Sequence, residues 1–192
     1  AMDATVECDG AGNSTDLDAW LANNGGASAT DACSGVTWTN DFAALSNDCG
    51  ATGAATVTFT ATDACGNGTT TTATFTIEDT TAPAVVDAMD ATVECDGAGN
   101  STDLEAWLTN NGGASATDAC SGVTWAHDFA ALSDDCGATG AATVTFTAAD
   151  ACGNATSTMA TFTIEDTTAP AVVEAMDATV ECDGAGNSTD LE

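Results

Sequence analysis

Two acids stand side by side, Glu78 with Asp79 and again Glu165 with Asp166, each pair just ahead of a Thr-Thr-Ala-Pro run ending at Pro83 and Pro170. The chain of 192 residues contains no Lys or Arg to pair with them, and its formal net charge is −30. His127 is the one side chain that could become cationic near neutral pH. A surface of one sign repels itself and loosens the compact state. Concentrated salt relieves this by screening; bound cations relieve it by taking carboxylate oxygens as ligands. Calcium accepts about six to eight oxygens and tolerates irregular cages better than magnesium does. The same composition argues against nucleic acid and anionic membranes as partners, since Lys and Arg recognise both. No apolar run is long enough to insert into and span a bilayer.

Cysteine is the other chemistry-bearing residue. Residues 1–87 return at 88–174 in the same register, differing at ten positions, and a further copy starts at Ala175. Each complete copy carries four cysteines: Cys8, Cys33, Cys49 and Cys65, then Cys95, Cys120, Cys136 and Cys152; Cys182 is the ninth. An even number per copy, with few bulky apolar residues, reads as a disulfide framework in an oxidising, extracellular setting. A zinc site is disfavoured because no CxxC pair is present. The period is too long for a solenoid unit and suits a small independent domain.

The elements that must position these groups are legible in one copy. Thr56 to Asp63 alternates, with Val57, Phe59 and Ala61 on one face and Thr56, Thr58, Thr60 and Thr62 on the other. Thr71 to Asp79 does the same with Ala73, Phe75 and Ile77. Joined by a short Ala-Cys-Gly-Asn connection, they predict a hairpin with one buried and one wet face. Val36–Asn40 and Ala4–Cys8 read as further short strands. Between them, Leu17, Trp20 and Leu21 form a helical stripe, with a capping box predicted from Thr15 and Asp18 and a C-cap at Asn24-Gly25. Short strands and turn signals over about 87 residues, interrupted by one helix, predict an all-β, immunoglobulin-like β-sandwich domain, repeated in tandem.

The runs ATFTIEDTTAPAVV and ATVECDG, followed by TVTFTATDACGN, resemble the HYR (hyalin repeat) domains, in the four-cysteine form found in long bacterial surface proteins. The resemblance covers essentially the whole chain and implies tandem extracellular immunoglobulin-like domains with adhesion or stalk roles. It also places the domains at 1–79 (lacking its first strand segment), 80–166 (complete) and 167–192 (the start of a third). The linker resembles the cadherin junction, where an acidic segment before Ala-Pro binds calcium with a TATD-type loop of the next domain. Here the linker is shortened to two acids, and the second copy reads TAADACGN.

In that topology the B–C and F–G turns face the preceding linker. Asp118 and Asp150 then meet Glu78 and Asp79, and Asp31, Asp63, Glu165 and Asp166 are the corresponding groups at the neighbouring junctions. These carboxylates are the predicted Ca2+ ligands, set against the alternative that Asp merely shapes turns. A second acidic loop offers Asp9, Asn13 and Asp16, with Asp96, Asn100 and Asp103 in the next copy; a Gly-rich turn into the helix explains it nearly as well. The same topology predicts pairs Cys8–Cys49, Cys33–Cys65, Cys95–Cys136 and Cys120–Cys152.

Catalysis is not expected. His127 has Asn40 at its position in the first copy, there is no Tyr, and no cation stands ready to hold an oxyanion. Paired acids suit glycosidases, but these recur at every junction. A Thr array on the hairpin raises an ice-binding reading, weakened by Ala149 and Met159 in the second copy. A carbohydrate- or protein-binding adhesin module, with surface glycans or other cells as partners, is the stronger alternative. Near-identical repeats instead point to length: a calcium-stiffened, disulfide-stapled segment of an extracellular filament or cell-surface stalk. Its partners are copies of itself in a linear array, joined by covalent continuation or strand donation. The Asp-Thr-Thr runs resemble acceptors of bacterial O-glycosylation, at Thr80 and Thr167, and Asn13, Asn67, Asn100 and Asn154 head formal N-glycosylation triplets.

Overall fold

The computed structural model describes residues 1–179. The first domain contains β1 (Ala4–Glu7), α1 (Ser14–Ala22), β2 (Val36–Asn40), β3 (Gly53–Asp63) and β4 (Gly68–Glu78). The second contains β5 (Ala84–Val86), β6 (Ala91–Glu94), α2 (Ser101–Thr109), β7 (Ser115–Thr117), β8 (Thr124–His127), β9 (Gly140–Ala149) and β10 (Ala155–Glu165). Each domain holds a four-stranded sheet, ordered β1-β4-β3-β2 or β6-β10-β9-β8, and the second adds a β5-β7 ribbon. The hairpins are antiparallel, whereas β1 runs parallel to β4 with Val6 opposite Ile77. The fold is all-β and immunoglobulin-like, with one short α-helix in each domain, after β1 and after β6.

Alternation decides which face is buried. Val57, Phe59, Ala61, Ala73, Phe75 and Ile77 are buried in the first domain, and Val144, Phe146, Ala148, Ala160, Phe162 and Ile164 in the second. The threonines between them face outward and bond to each other, Thr56 to Thr74 at 2.9 Å. The helix covers the apolar face. The Trp20 ring meets Phe59 edge-on at 5.2 Å between centroids, and Trp107 meets Phe146 at the same distance. Such aromatic pairs add about 0.5–1.5 kcal/mol beyond the area they bury.

The helix begins differently from the capping-box expectation. Its N-cap is Asn13, in the left-handed conformation (φ 47°) and without a side-chain cap bond, so Thr15 already lies inside the first turn. The Asn13 side chain is engaged with the loop before the helix instead. The C-terminal end runs into a 3-10 turn at Asn24–Gly26 with Gly25 at φ 61°. A Cβ there would press on Phe59 at 3.0 Å, so glycine serves both the turn and the packing. Half of the predicted third segment, 167–192, including Cys182, lies outside the described residues.

Candidate functional site

The alternation of β4 carries into the linker: Ile77 is buried, Glu78 is exposed, and Asp79 is buried again, at 8% exposure. Asp79 accepts a bond from the Thr81 amide at 3.2 Å through Oδ1. Its Oδ2 is buried without a hydrogen-bond partner among the described residues. Carboxylate oxygens of Asp79 and Asp118 lie within 4.8 Å of each other and of Cys120 Sγ. That sulfur is in a disulfide and is no thiolate ligand.

Turns of the second domain hold the facing acids. Asp118 Oδ1 accepts the Cys120 and Ser121 amides at 2.9 and 2.8 Å, leaving Oδ2 for another partner. Asp150 accepts the Asn154 amide and its Nδ2 at 2.8 and 2.7 Å. The same Nδ2 donates to the Asp79 carbonyl at 2.9 Å, tying the turn between β9 and β10 to the linker. Burial pushes the Asp79 carboxyl above the usual aspartate range, and the charges of Asp118, Asp150 and Glu7 push it further. Burial acts upward on Asp150 too, but the bonds from Asn154 outweigh it and hold that carboxyl low. An unpartnered buried oxygen among hard carboxylate donors suits a hard cation such as Ca2+. Asp79 and Asp118 are therefore the residues that fit the ion, with Asp150 on the adjacent turn already bonded to Asn154 through both oxygens.

Among the predicted ligands, Glu78 stays outside this group. Glu165 and Asp166 are exposed, while Asp31 and Asp63 accept amides of their own turns, as Asp118 and Asp150 do. The loop from Asp9 satisfies itself. Asp9 Oδ1 accepts the Ala11 and Asn13 amides, while Asn13 accepts the Asp9 amide and donates to the Glu7 carbonyl and to Asp16. Asp96, Asn100 and Asp103 repeat the arrangement. These oxygens shape the turn into the helix.

Sequence reasoning missed Glu7 and its copy Glu94. Glu7 accepts the Thr80 amide and the Thr80 and Thr81 hydroxyls at 2.8–2.9 Å. These bonds hold its carboxyl below the usual glutamate range, the Thr80 amide contributing most. Glu94 grips Thr167 and Thr168 in the same way. The available signal was the pair of adjacent threonines in each linker, which need acceptors. The Thr80 and Thr167 hydroxyls considered for glycosylation are thus already donating. Asn13 and Asn100 are buried, at 2% and 3% exposure, with their amides engaged.

The disulfides overturn the predicted pairing. Cys8 joins Cys120 and Cys49 joins Cys152, with Cα separations of 6.0 and 5.2 Å, so both bonds cross from one domain to the other. Cys33, Cys65, Cys95 and Cys136 are free. The predicted pairs Cys8–Cys49, Cys33–Cys65, Cys95–Cys136 and Cys120–Cys152 are all absent. Cys8 and Cys49 do share one end of the domain and Cys120 with Cys152 the opposite end, but the linker brings unlike ends together. Glycine permits the approach: a Cβ on Gly10 would sit on the Ala119 carbonyl oxygen, and one on Gly50 would meet the Cys120 oxygen at 2.5 Å. The Ala51 amide donates to that same Cys120 oxygen at 2.9 Å.

No family model and no curated protein matches the chain. Among solved structures, Drosophila N-cadherin EC1-4 is similar at 10% identity and a TM-score of 0.29, over 70% of this chain and 42% of that one. Mouse clustered PcdhgC3 EC1-3 is similar at 12% identity and 0.27, over 86% and 66%. PcdhgB3 EC1-4 is similar at 12% identity and 0.27, over 58% and 32%, so this chain spans about a third of its length.

Proposed function

We propose that this chain is a structural segment of an extracellular stalk or filament, made of hyalin-repeat-like domains and stiffened at the domain junction. The observation that carries this reading is the junction itself. Two disulfides and a buried carboxylate oxygen, unpartnered among the described residues, lie between the domains. His127 is exposed, and its ring lies 6.1 Å from Phe146. Calcium held by Asp79 and Asp118 neutralises acids that no base can pair. The near-identity of the copies supports a role in length rather than division of labour. The Thr face gains no support as an ice lattice, since its hydroxyls bond one another and Met159 interrupts it at 67% exposure.

Small-angle scattering tests the reading. With calcium the maximum dimension should match two rigid coaxial domains, and isothermal titration should detect a bound ion. A chain that binds no calcium, with the same scattering profile and melting temperature in chelator, overturns the calcium part. A variant Asp79→Asn should lose the calcium response while keeping both disulfides.

A further inference from the structure

The chain has no CxxC pair, yet the junction brings two sulfurs and two carboxylates together, one of each from either side. The first domain contributes Cys8, whose amide donates to the Glu78 carbonyl at 2.8 Å, and the linker contributes Asp79 beside it. The second domain contributes Asp118 and Cys120 from a single turn, in which Asp118 Oδ1 accepts the Cys120 amide at 2.9 Å. Oxygens of Asp79 and Asp118 and the Cys120 sulfur lie within 4.8 Å of one another. The Cys8 sulfur, bonded to that of Cys120, adjoins the same group. Asp79 is 8% exposed, and its Oδ2 has no partner among the described residues. A buried polar atom in that position is relieved by a ligand.

In the oxidised chain the two sulfurs are spent on each other, and hard oxygens alone face a cation. Reduction changes the donor set. Two thiolates and two carboxylates make four ligands, the number a tetrahedral zinc ion takes, at about 2.3 Å for sulfur and 2.0–2.2 Å for oxygen. Thiolate sulfur suits zinc and does not suit calcium. The Cα atoms of Cys8 and Cys120 are 6.0 Å apart, which leaves the sulfurs room to separate around an ion. The Gly10 amide donates to the Cys8 sulfur at 3.4 Å. Gly97 makes the same contact with Cys95, which is free, so the loop presents this donor without an S–S bond. Hydrogen bonds of this kind orient metal ligands from outside.

We propose that the junction is a redox-switched metal site: once the Cys8–Cys120 bond is reduced, Cys8, Cys120, Asp79 and Asp118 bind Zn2+, and the metal replaces the covalent staple. The proposal rests on the reading of Asp79 and Asp118 as cation ligands and gives their site a second occupant. A dithiol supplies the reduction. It passes two electrons and two protons to the disulfide, which becomes two thiols, while the dithiol closes to a cyclic disulfide. Zinc then forms two Zn–S bonds and releases the two thiol protons to solvent.

Cobalt(II) is the probe, because thiolate ligation gives it a charge-transfer band that carboxylates do not. The test chain carries Cys33→Ser, Cys65→Ser, Cys95→Ser, Cys136→Ser and Cys182→Ser, which remove the other thiols and keep both staples. Oxidised, it should show no band. Reduced with a dithiol and desalted without oxygen, it should show the band, and Zn2+ should erase it by competition. Zinc should also return the melting temperature of the reduced chain toward that of the oxidised one. Adding Cys49→Ser and Cys152→Ser should leave the band in place, and Cys120→Ser should abolish it. Asp79→Asn and Asp118→Asn should each weaken cobalt binding severalfold; Asn keeps the oxygen that accepts the turn amides. Circular dichroism reports that each variant is folded. A folded, reduced chain without the band overturns the proposal, as does a band indifferent to both Asn variants. Cobalt uptake by the reduced chain, beside an oxidised chain that ignores calcium, supports the proposal and counts against the calcium reading. The reverse pair of results overturns the proposal and leaves the calcium reading in place.

Discussion

The entry face of the second domain and that of the first are built from the same residues in different company. Cys120 is 8% exposed and Asp150 is 7% exposed, whereas Cys33 is exposed and Asp63 half-buried. Pro83 is buried and Pro170 exposed. None of these positions is among the ten that differ between copies. The difference lies in what is docked among the described residues: a linker strand and the loops of the neighbouring domain cover one face and leave the other open. A domain of this type therefore owns half of each site, and the site exists only where two halves meet.

The largest effect should come from removing the staples. The bridged cysteines are 112 and 103 residues apart, and loops of that length are worth about 4.7 kcal/mol each in the chain-entropy model. Cys8→Ser with Cys49→Ser should lower the thermal midpoint and let the domains hinge, read by calorimetry and scattering. An unchanged scattering profile would mean that the other junction contacts alone hold the domains in line.

Glycine substitutions sharpen the comparison. Gly10→Ala and Gly97→Ala share the cost of a left-handed Cβ, about 1–2 kcal/mol. Only Gly10→Ala also drives a methyl into the Ala119 carbonyl. Denaturant unfolding should therefore show a greater loss at Gly10 than at Gly97. Equal losses would break the assignment of Gly10 to domain contact.

A smaller contrast is expected between Asp79→Asn and Asp166→Asn. Without calcium, Asp79→Asn should raise stability by removing a buried, unpaired charge, and Asp166→Asn should be nearly silent. With calcium the sign at Asp79 should reverse. Thermal melts of the four combinations check this.

Titration gives the finest test. Glu7 is held low in the folded state, so its latch on Thr80 and Thr81 stabilises above the ordinary glutamate pKa and is lost as pH falls through the folded value. Asp79 is held high, so its ionisation costs stability as pH rises from the ordinary aspartate value through the folded one. Carboxyl NMR shifts in calcium-free protein should show Glu7 titrating below its usual range and Asp79 above it. Calcium should pull the Asp79 midpoint down.

The hairpin, the helix stripe and the buried face could be read from the chain because each rests on local periodicity. Strict alternation put Phe59 and Phe75 inside, and the spacing of Leu17, Trp20 and Leu21 placed the helix over them. That Asp118 would face Asp79 across the linker was also legible, from strand direction and a short linker. Glu78 was not, because two adjacent strand-end residues point to opposite sides and only one can enter the junction. Glu7 stayed hidden because its partners lie 73 and 74 residues away. Disulfide partnership was beyond the sequence for a deeper reason. In a repeat, Cys33 and Cys120 have the same neighbours, so no local pattern tells a partner in the same domain from one in the next. Sequence alone settled which cysteines share an end of the domain. Only the tertiary structure, by setting the exit face of one copy against the entry face of the next, decided that the bonds cross between them.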